Sequence, residues 1–239
     1  MINGQGERIK NMPHDFLVPV VDTDSITICK RTGAAFSQEE IETLTQEINS
    51  LTDNLIRWEF EFYIPKLVVL KSKNYILYDG KNIKTKGSAL RDQKKEIALR
   101  EFLDRIISAI IHNNENIPQI YHDYVTEILN VKDIKRWCSK KTITDKVLTN
   151  SRTNEKKVRD AIAGTEYKEA DKVWLFFKSD ESLCLAEKFD GDYDKMRLLE
   201  KLYKTSLVFE SVLPVKSLFL NYSLKKNESY LRAFAGVIE

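Results

Sequence analysis

"VPVVDTDSITI", residues 18–28, decides how this chain is read. An apolar run stops at Asp22-Thr23-Asp24-Ser25, and an apolar alternation resumes after it. That pattern predicts two strands, over 16–21 and 25–30, joined by an acidic turn. Carboxylates at i and i+2 of a tight turn can reach one region of space. Hard divalent cations take oxygen ligands, and magnesium commonly uses only one or two protein carboxylates plus substrate phosphates. Asp22 and Asp24 are therefore candidate catalytic and metal-binding residues, with Mg2+ (or Mn2+) as the cofactor. The plainer reading is an ordinary Asx-type hairpin turn.

Working outward, Ser37-Gln38-Glu39-Glu40 has the form of a capping box. It predicts a helix with Ile41, Leu44, Ile48, Leu51 and Leu55 on one buried face. Trp58, Phe60, Phe62 and Ile64 alternate with polar neighbours and predict a strand; 66–70 is rich in β-branched residues and predicts another. Residues 75–78 and 82–85 flank Asp79-Gly80, a strong hairpin signal. After Arg91 the periodicity becomes helical, over 93–112 and from Asn116-Ile117-Pro118 to about Asn130. Residues 131–153 read as basic and irregular. A short helix over 154–163 should stop at Gly164, 173–178 and 183–187 should form a hairpin, and 193–204 should be helical. The fold class expected is α+β: a partial antiparallel sheet with a helix, then a mainly helical remainder, with a boundary near residue 92.

The 239 residues give room for one large domain or two small ones. With 42% apolar and 31% charged residues the chain reads as globular and soluble. Its apolar runs are too short to cross a bilayer, so no membrane partner is expected. The first fifteen residues are polar, so no signal peptide is expected either. Cys29, Cys138 and Cys184 are odd in number and widely spaced, which suggests free thiols in a reducing compartment, the cytoplasm. The net charge of +2 hides two basic blocks. Residues 71–95 hold eight cations against Asp79 and Asp92, and 135–159 hold nine against Asp145 and Glu155. Two such blocks suggest a polyanion contacted at two places; the bland reading is solvated lysine faces.

Two rival site readings compete with the acidic turn. A haloacid-dehalogenase-like phosphatase also places D-x-D after an apolar strand, and "FDGDYDKM", 189–196, could serve as its later acidic cluster. In that class the motif leads into a loop and helix, whereas here Ile26-Thr27-Ile28-Cys29 continues as strand. The cluster Asp190, Asp192, Asp194 also invites a calcium-loop reading. Lys195 stands where the turn glycine belongs and Lys201 where the bidentate glutamate belongs, so it reads as a loop and a helix N-terminus.

The order of the signals carries more than any one of them. Strand, DTDS, strand, helix, β segment, "KSKNYILYDG" and then "KTKGSALR" before a helical region resembles the C-terminal part of family B DNA polymerases, most of all the phage replicative enzymes. DTDS is similar to the palm carboxylate motif, "KNY" at 73–75 to the K-x-Y element beside the primer terminus, and "KTKGSALRDQ" to the segment joining palm to thumb. "SKKTITDKVLTNSRTNEKKV" resembles the tip of the thumb. The resemblance implies palm over 1–91 and thumb over 92–239. It implies that Asp24 ligates the catalytic metals and that Asp22 supports it. Lys73 and Tyr75 would touch the primer strand near its 3′ end. Lys86, Gly87 and Arg91 would lie along the duplex backbone, with Lys84, Lys140, Lys141 and Arg152 as further DNA contacts. The family commonly has Tyr-Gly or a small residue before the first Asp; here it is Val20-Val21.

The partners implied are primer–template DNA and a deoxynucleoside triphosphate. An N-terminal polymerase polypeptide would bring the second acidic palm motif, the fingers and the exonuclease, all of which lie ahead of DTDS in that family. For a phage-encoded chain the compartment would be the host cytoplasm. The segment "SYLRAFAGVIE", 229–239, makes a sliding clamp a further candidate partner, with thumb packing as the plainer reading. The alternatives kept open are a non-catalytic duplex-binding module and the magnesium-dependent phosphatase.

Overall fold

The structure is a computed structural model that describes residues 16–52, 56–149 and 152–221. The proposed clamp-binding segment, 229–239, and Leu55 lie outside the described residues. The chain divides into two compact units, one ending at Gly87 and the other starting at Ser88, near the boundary that the change of periodicity indicates. The fold is α+β, with small antiparallel sheets and several helices.

In the first unit β1 (Phe16–Val21) and β2 (Ile26–Lys30) form an antiparallel hairpin. Its register runs Val21 to Ile26 and Val20 to Thr27, then shifts before Leu17 meets Cys29. Pro19 falls in that irregular stretch, where its missing N–H costs no ladder bond. α1 (Gln38–Ser50) starts as its sequence indicates: Ser37 Oγ accepts the Glu40 amide at 3.2 Å and Glu40 Oε2 accepts the Ser37 amide at 2.7 Å. Lys30 donates to Glu40 at 2.6 Å and to the Ala35 carbonyl at 3.1 Å, while Phe16 meets Phe36 at 5.5 Å between ring centres. These contacts tie the open end of the hairpin to the start of α1 and leave its turn at the far end.

The alternating stretch 58–64 is not a strand. Asn49, in the last turn of α1, donates to the Trp58 carbonyl at 2.8 Å and accepts the Trp58 amide at 2.7 Å. That reciprocal pair takes the backbone groups a ladder would need. Phe60 and Phe62 remain exposed, so the alternation has no buried face to serve. β3 (Lys66–Lys71), β4 (Asn74–Tyr78) and β5 (Ile83–Lys86) follow as an antiparallel meander. Asp79 holds its second turn, accepting the Lys81 and Asn82 amides at 2.9 and 2.7 Å. Among the described residues the hairpin and the meander are two sheets, not the single partial sheet expected.

The second unit opens with α2 (Ser88–Arg91), then α3 (Ile97–His112) and α4 (Ile117–Leu129). α3 starts four residues later than its periodicity suggests, because Asp92 folds the chain into a turn by accepting the Lys94 amide at 2.9 Å. Asn113 ends α3 in the left-handed region, and Asn116 caps α4. Phe102, Ile106, Tyr124 and Ile128 pack between these helices, with Phe102 edge-on to Tyr124 at 5.3 Å.

The described residues of 131–153 are more ordered than their composition suggests. A 3-10 turn (Ile134–Trp137) precedes β6 (Ser139–Thr142) and α5 (Asp145–Thr149). α6 (Thr153–Ile162) leads to β7 (Lys172–Phe177) and β8 (Leu183–Leu185), which join β6 in an antiparallel sheet. The sheet and α5–α6 share a small core of Ile143, Val147, Val158, Ile162, Val173, Leu175 and Leu185. α7 (Lys195–Ser206) is capped by Asp194, which accepts the Arg197 amide at 2.9 Å, and Asp190 pairs with Lys178 at 2.6 Å. The acidic cluster is thus a loop and cap. No described helix is long and apolar enough to cross a membrane, and Cys29, Cys138 and Cys184 are free thiols.

Candidate metal and nucleic-acid site

The Asp22–Ser25 turn is closed by the Asp22 amide donating to the Ser25 carbonyl at 2.8 Å. Asp22 Oδ1 accepts the amide of the next residue, Thr23, at 3.1 Å, one residue short of the i+2 partner that defines an Asx turn. Asp22 is half-buried and Asp24 exposed. Among the described residues neither carboxylate forms an ion pair with a lysine or arginine. Val21, immediately before the acidic turn, is 62% exposed and so does not crowd it. Two carboxylates free of cationic partners suit a hard divalent cation that takes its other ligands from phosphates and water. Among the described residues no group of three or more His, Cys, Asp or Glu side chains gathers as a larger metal cluster.

The acidic turn acts on Tyr75. This side chain is buried on β4, and its burial pushes the phenol above its usual value; the Asp22 and Asp24 carboxylates push it further in the same direction. Tyr75 pairs in register with Val69 on β3 and with Lys86 on β5. Directly opposed residues share one face of a sheet, so Tyr75 and Lys86 lie side by side.

Lys73 stands at the tip of the β3–β4 turn with φ +57, an uncommon left-handed conformation for lysine. The end of β5 presses against this tip. Gly87 has φ +104, and a Cβ there would lie 2.4 Å from both the Lys73 carbonyl and Asn74 Oδ1. Asn74 is itself buried and donates to the Ser72 carbonyl at 3.0 Å, bracing the turn from inside. Asn74 is a positioning residue that motif reading passed over, although it stands between the two residues of K-x-Y. Lys73, Tyr75, Lys86 and Gly87 thus meet at one corner of the first unit. Lys84 turns elsewhere, toward Asp79 at 3.9 Å and over the Phe62 ring at 5.6 Å.

The remaining candidates belong to the second unit. Arg91 lies in the last turn of α2, and Arg152 is exposed as the residue before α6. Lys140 and Lys141 are successive residues of β6 and therefore point to opposite faces. Lys141 pairs with Val173, on the face of the α5–α6 core, and Lys140 pairs with Trp174 on the other. Lys140 Nζ lies 5.2 Å from the Trp174 ring centre and Lys135 Nζ 5.7 Å from it. The meeting of Lys135 and Lys140 at Trp174 carries no local sequence signal, because it depends on strand register. No protein-family model matches the chain, and no curated protein matches it.

Proposed function

We propose that this chain is the C-terminal palm and thumb part of a family B DNA-directed DNA polymerase, with the palm in the first unit and the thumb in the second. It would work with an N-terminal polypeptide that carries the second acidic palm motif, the fingers and the exonuclease. The observation that carries the reading is spatial. Motifs separated in sequence, DTDS, KNY and KTKG, share the first unit: Gly87 packs on the Lys73–Asn74 turn, and after burial the Asp22 and Asp24 carboxylates add to the upward push on the Tyr75 phenol. The antiparallel return of β2 after DTDS favours this reading over a dehalogenase-like phosphatase, whose motif leads into a loop and helix.

Asp24, exposed on the turn, would hold Mg2+ or Mn2+, with Asp22 beside it. Such a cation supplies charge to the attacking and leaving oxygens of phosphoryl transfer. Lys73 and Lys86 would hold primer-strand phosphates by charge, a contact that fixes position without reading sequence. Tyr75, fixed between Val69 and Lys86, would set the height of the primer terminus against the carboxylates. Lys140, Lys141, Arg91 and Arg152 would extend the grip on the duplex from the second unit.

Primer extension tests the assignment. The chain, combined with an N-terminal polypeptide of this family, should extend a primer only with magnesium or manganese. Asp24→Ala should abolish incorporation, and Asp22→Ala should impair it less, while both keep primer–template affinity. An assembled pair in which Asp24→Ala extends at the wild-type rate would reduce DTDS to a turn.

A further inference from the structure

The sheet of the second unit has two unlike faces. Val173 and Leu175 point into the α5–α6 core. The opposite face carries Trp174 and Phe176, with Lys140 and Lys172 brought beside them by register and alternation. Lys135 reaches the same indole from the preceding 3-10 turn. Trp174 is half-buried, and the three lysines are exposed. Among the described residues none of the three has an ion-pair partner, and neighbouring Asp133 spends Oδ1 on the Lys135 amide at 3.0 Å.

Two ammonium groups directed at one ring repel each other, and Lys172 adds a third positive charge to that face. Ring attraction compensates only part of this, about 0.5–1 kcal/mol at an exposed site. An anion placed among them removes the repulsion. A phosphodiester fits that charge, but phosphate recognition alone needs no aromatic at the centre. A tryptophan flanked by lysines matches what unpaired nucleotides offer together: a base face to stack and a backbone charge to neutralise. A duplex keeps its base faces stacked inside and cannot use the indole.

We infer that the Lys135–Lys140–Lys172–Trp174 face binds single-stranded nucleic acid, with a base stacked on the Trp174 indole and the flanking phosphates held by the lysines. This site requires no metal, nucleotide or second polypeptide; it shares Lys140 with the duplex grip of the polymerase reading and otherwise stands apart from it.

Anisotropy with labelled oligo-dT, an abasic strand of equal length and a duplex tests it on the full chain. Oligo-dT should bind about tenfold or more tighter than the abasic strand, the scale of a single base–aromatic stack. Trp174→Leu should remove that difference, and Trp174→Phe should keep most of it. Lys135→Ser/Lys140→Ser should weaken both strands, and it decides the matter if Trp174→Leu proves unfolded by circular dichroism. Equal binding of oligo-dT and the abasic strand overturns the inference, as does wild-type oligo-dT affinity in folded Trp174→Leu or in the double lysine variant. Retained oligo-dT binding in a protein that ignores primer–template supports the platform and removes the polymerase reading instead.

Discussion

Gly87→Ala is the most direct test of the geometry that gathers the first unit's basic residues. The residue sits at φ +104, outside the regions that side-chain-bearing residues occupy at low cost. That backbone strain alone costs about 1–3 kcal/mol. The new methyl would also stand 2.4 Å from the Lys73 carbonyl and from Asn74 Oδ1, well inside van der Waals contact. Neither neighbour yields easily. The carbonyl belongs to a lysine already held at φ +57, and the Asn74 amide is tied to the Ser72 carbonyl. Strain and overlap together should destabilise the β3–β5 meander by about 3 kcal/mol.

A loss of that size should raise local hydrogen exchange of the β4 and β5 amides by about a hundredfold, at roughly 1.4 kcal/mol per factor of ten. The urea midpoint of the first unit should fall by about 1 M or more. Primer–template affinity should fall as well, since Lys73 and Lys86 lose their common position. Wild-type exchange and an unchanged midpoint would mean that Gly87 does not brace the K-x-Y turn. The convergence argument for this corner would then fail.

Two further expectations concern charge. Duplex affinity should fall steeply with salt and be indifferent to sequence, and Lys73→Ala/Lys86→Ala should reduce the log–log salt slope by about 2, one for each lost phosphate contact; a flat salt response would remove the duplex grip. Glu40 is held below its usual carboxylate range, first by the Lys30 hydrogen bond and then by the Ser37 amide. A depressed folded pKa contributes stability above the unfolded value of about 4 and loses it as pH falls through the folded value. Glu40→Gln should therefore flatten the acid limb of the stability–pH profile below about pH 4 and leave its slope near neutrality unchanged; an identical acid limb in both proteins would show that the Lys30–Glu40 pair adds nothing.

What the sequence made legible was local. The capping box at Ser37, the Asp79-Gly80 turn, the Asn116-Ile117-Pro118 helix start and the strand pair around DTDS each rest on neighbours within a few residues, and each is present. The misreadings came from distant partners. The 58–64 alternation has strand periodicity, but Asn49 takes the Trp58 backbone first. β6 lies in a lysine-rich stretch with no apolar alternation and exists because β7 offers it an edge. The candidate site divides the same way. Asp22, Asp24, Lys73 and Tyr75 stood out as motifs, whereas the packing of Gly87 on Asn74 and of Lys140 on Trp174 depends on register.

The two signs of charge in the first unit explain why one corner could serve both a cation and a polyanion. Lys73 and Lys86 attract phosphate, yet Asp22 and Asp24 are near enough to raise the Tyr75 phenol between them and would repel the same phosphate. Without a cation, a strand drawn in by the lysines meets a carboxylate pair that has no ion-pair partner among the described residues. A divalent cation on Asp24 would neutralise the carboxylate pair and leave the two lysines to attract the backbone unopposed. Tyr75, paired with Lys86, is a neutral side chain whose burial and acidic neighbours both hold its proton on. A neutral hydroxyl there can donate a hydrogen bond to a sugar or base without adding charge to either side. On the proposed reading the turn carboxylates would govern not only phosphoryl chemistry but whether a phosphate can approach at all. Metal dependence would then extend to the positioning of the primer terminus, while the lysines of the second unit would hold nucleic acid whether or not a cation is present.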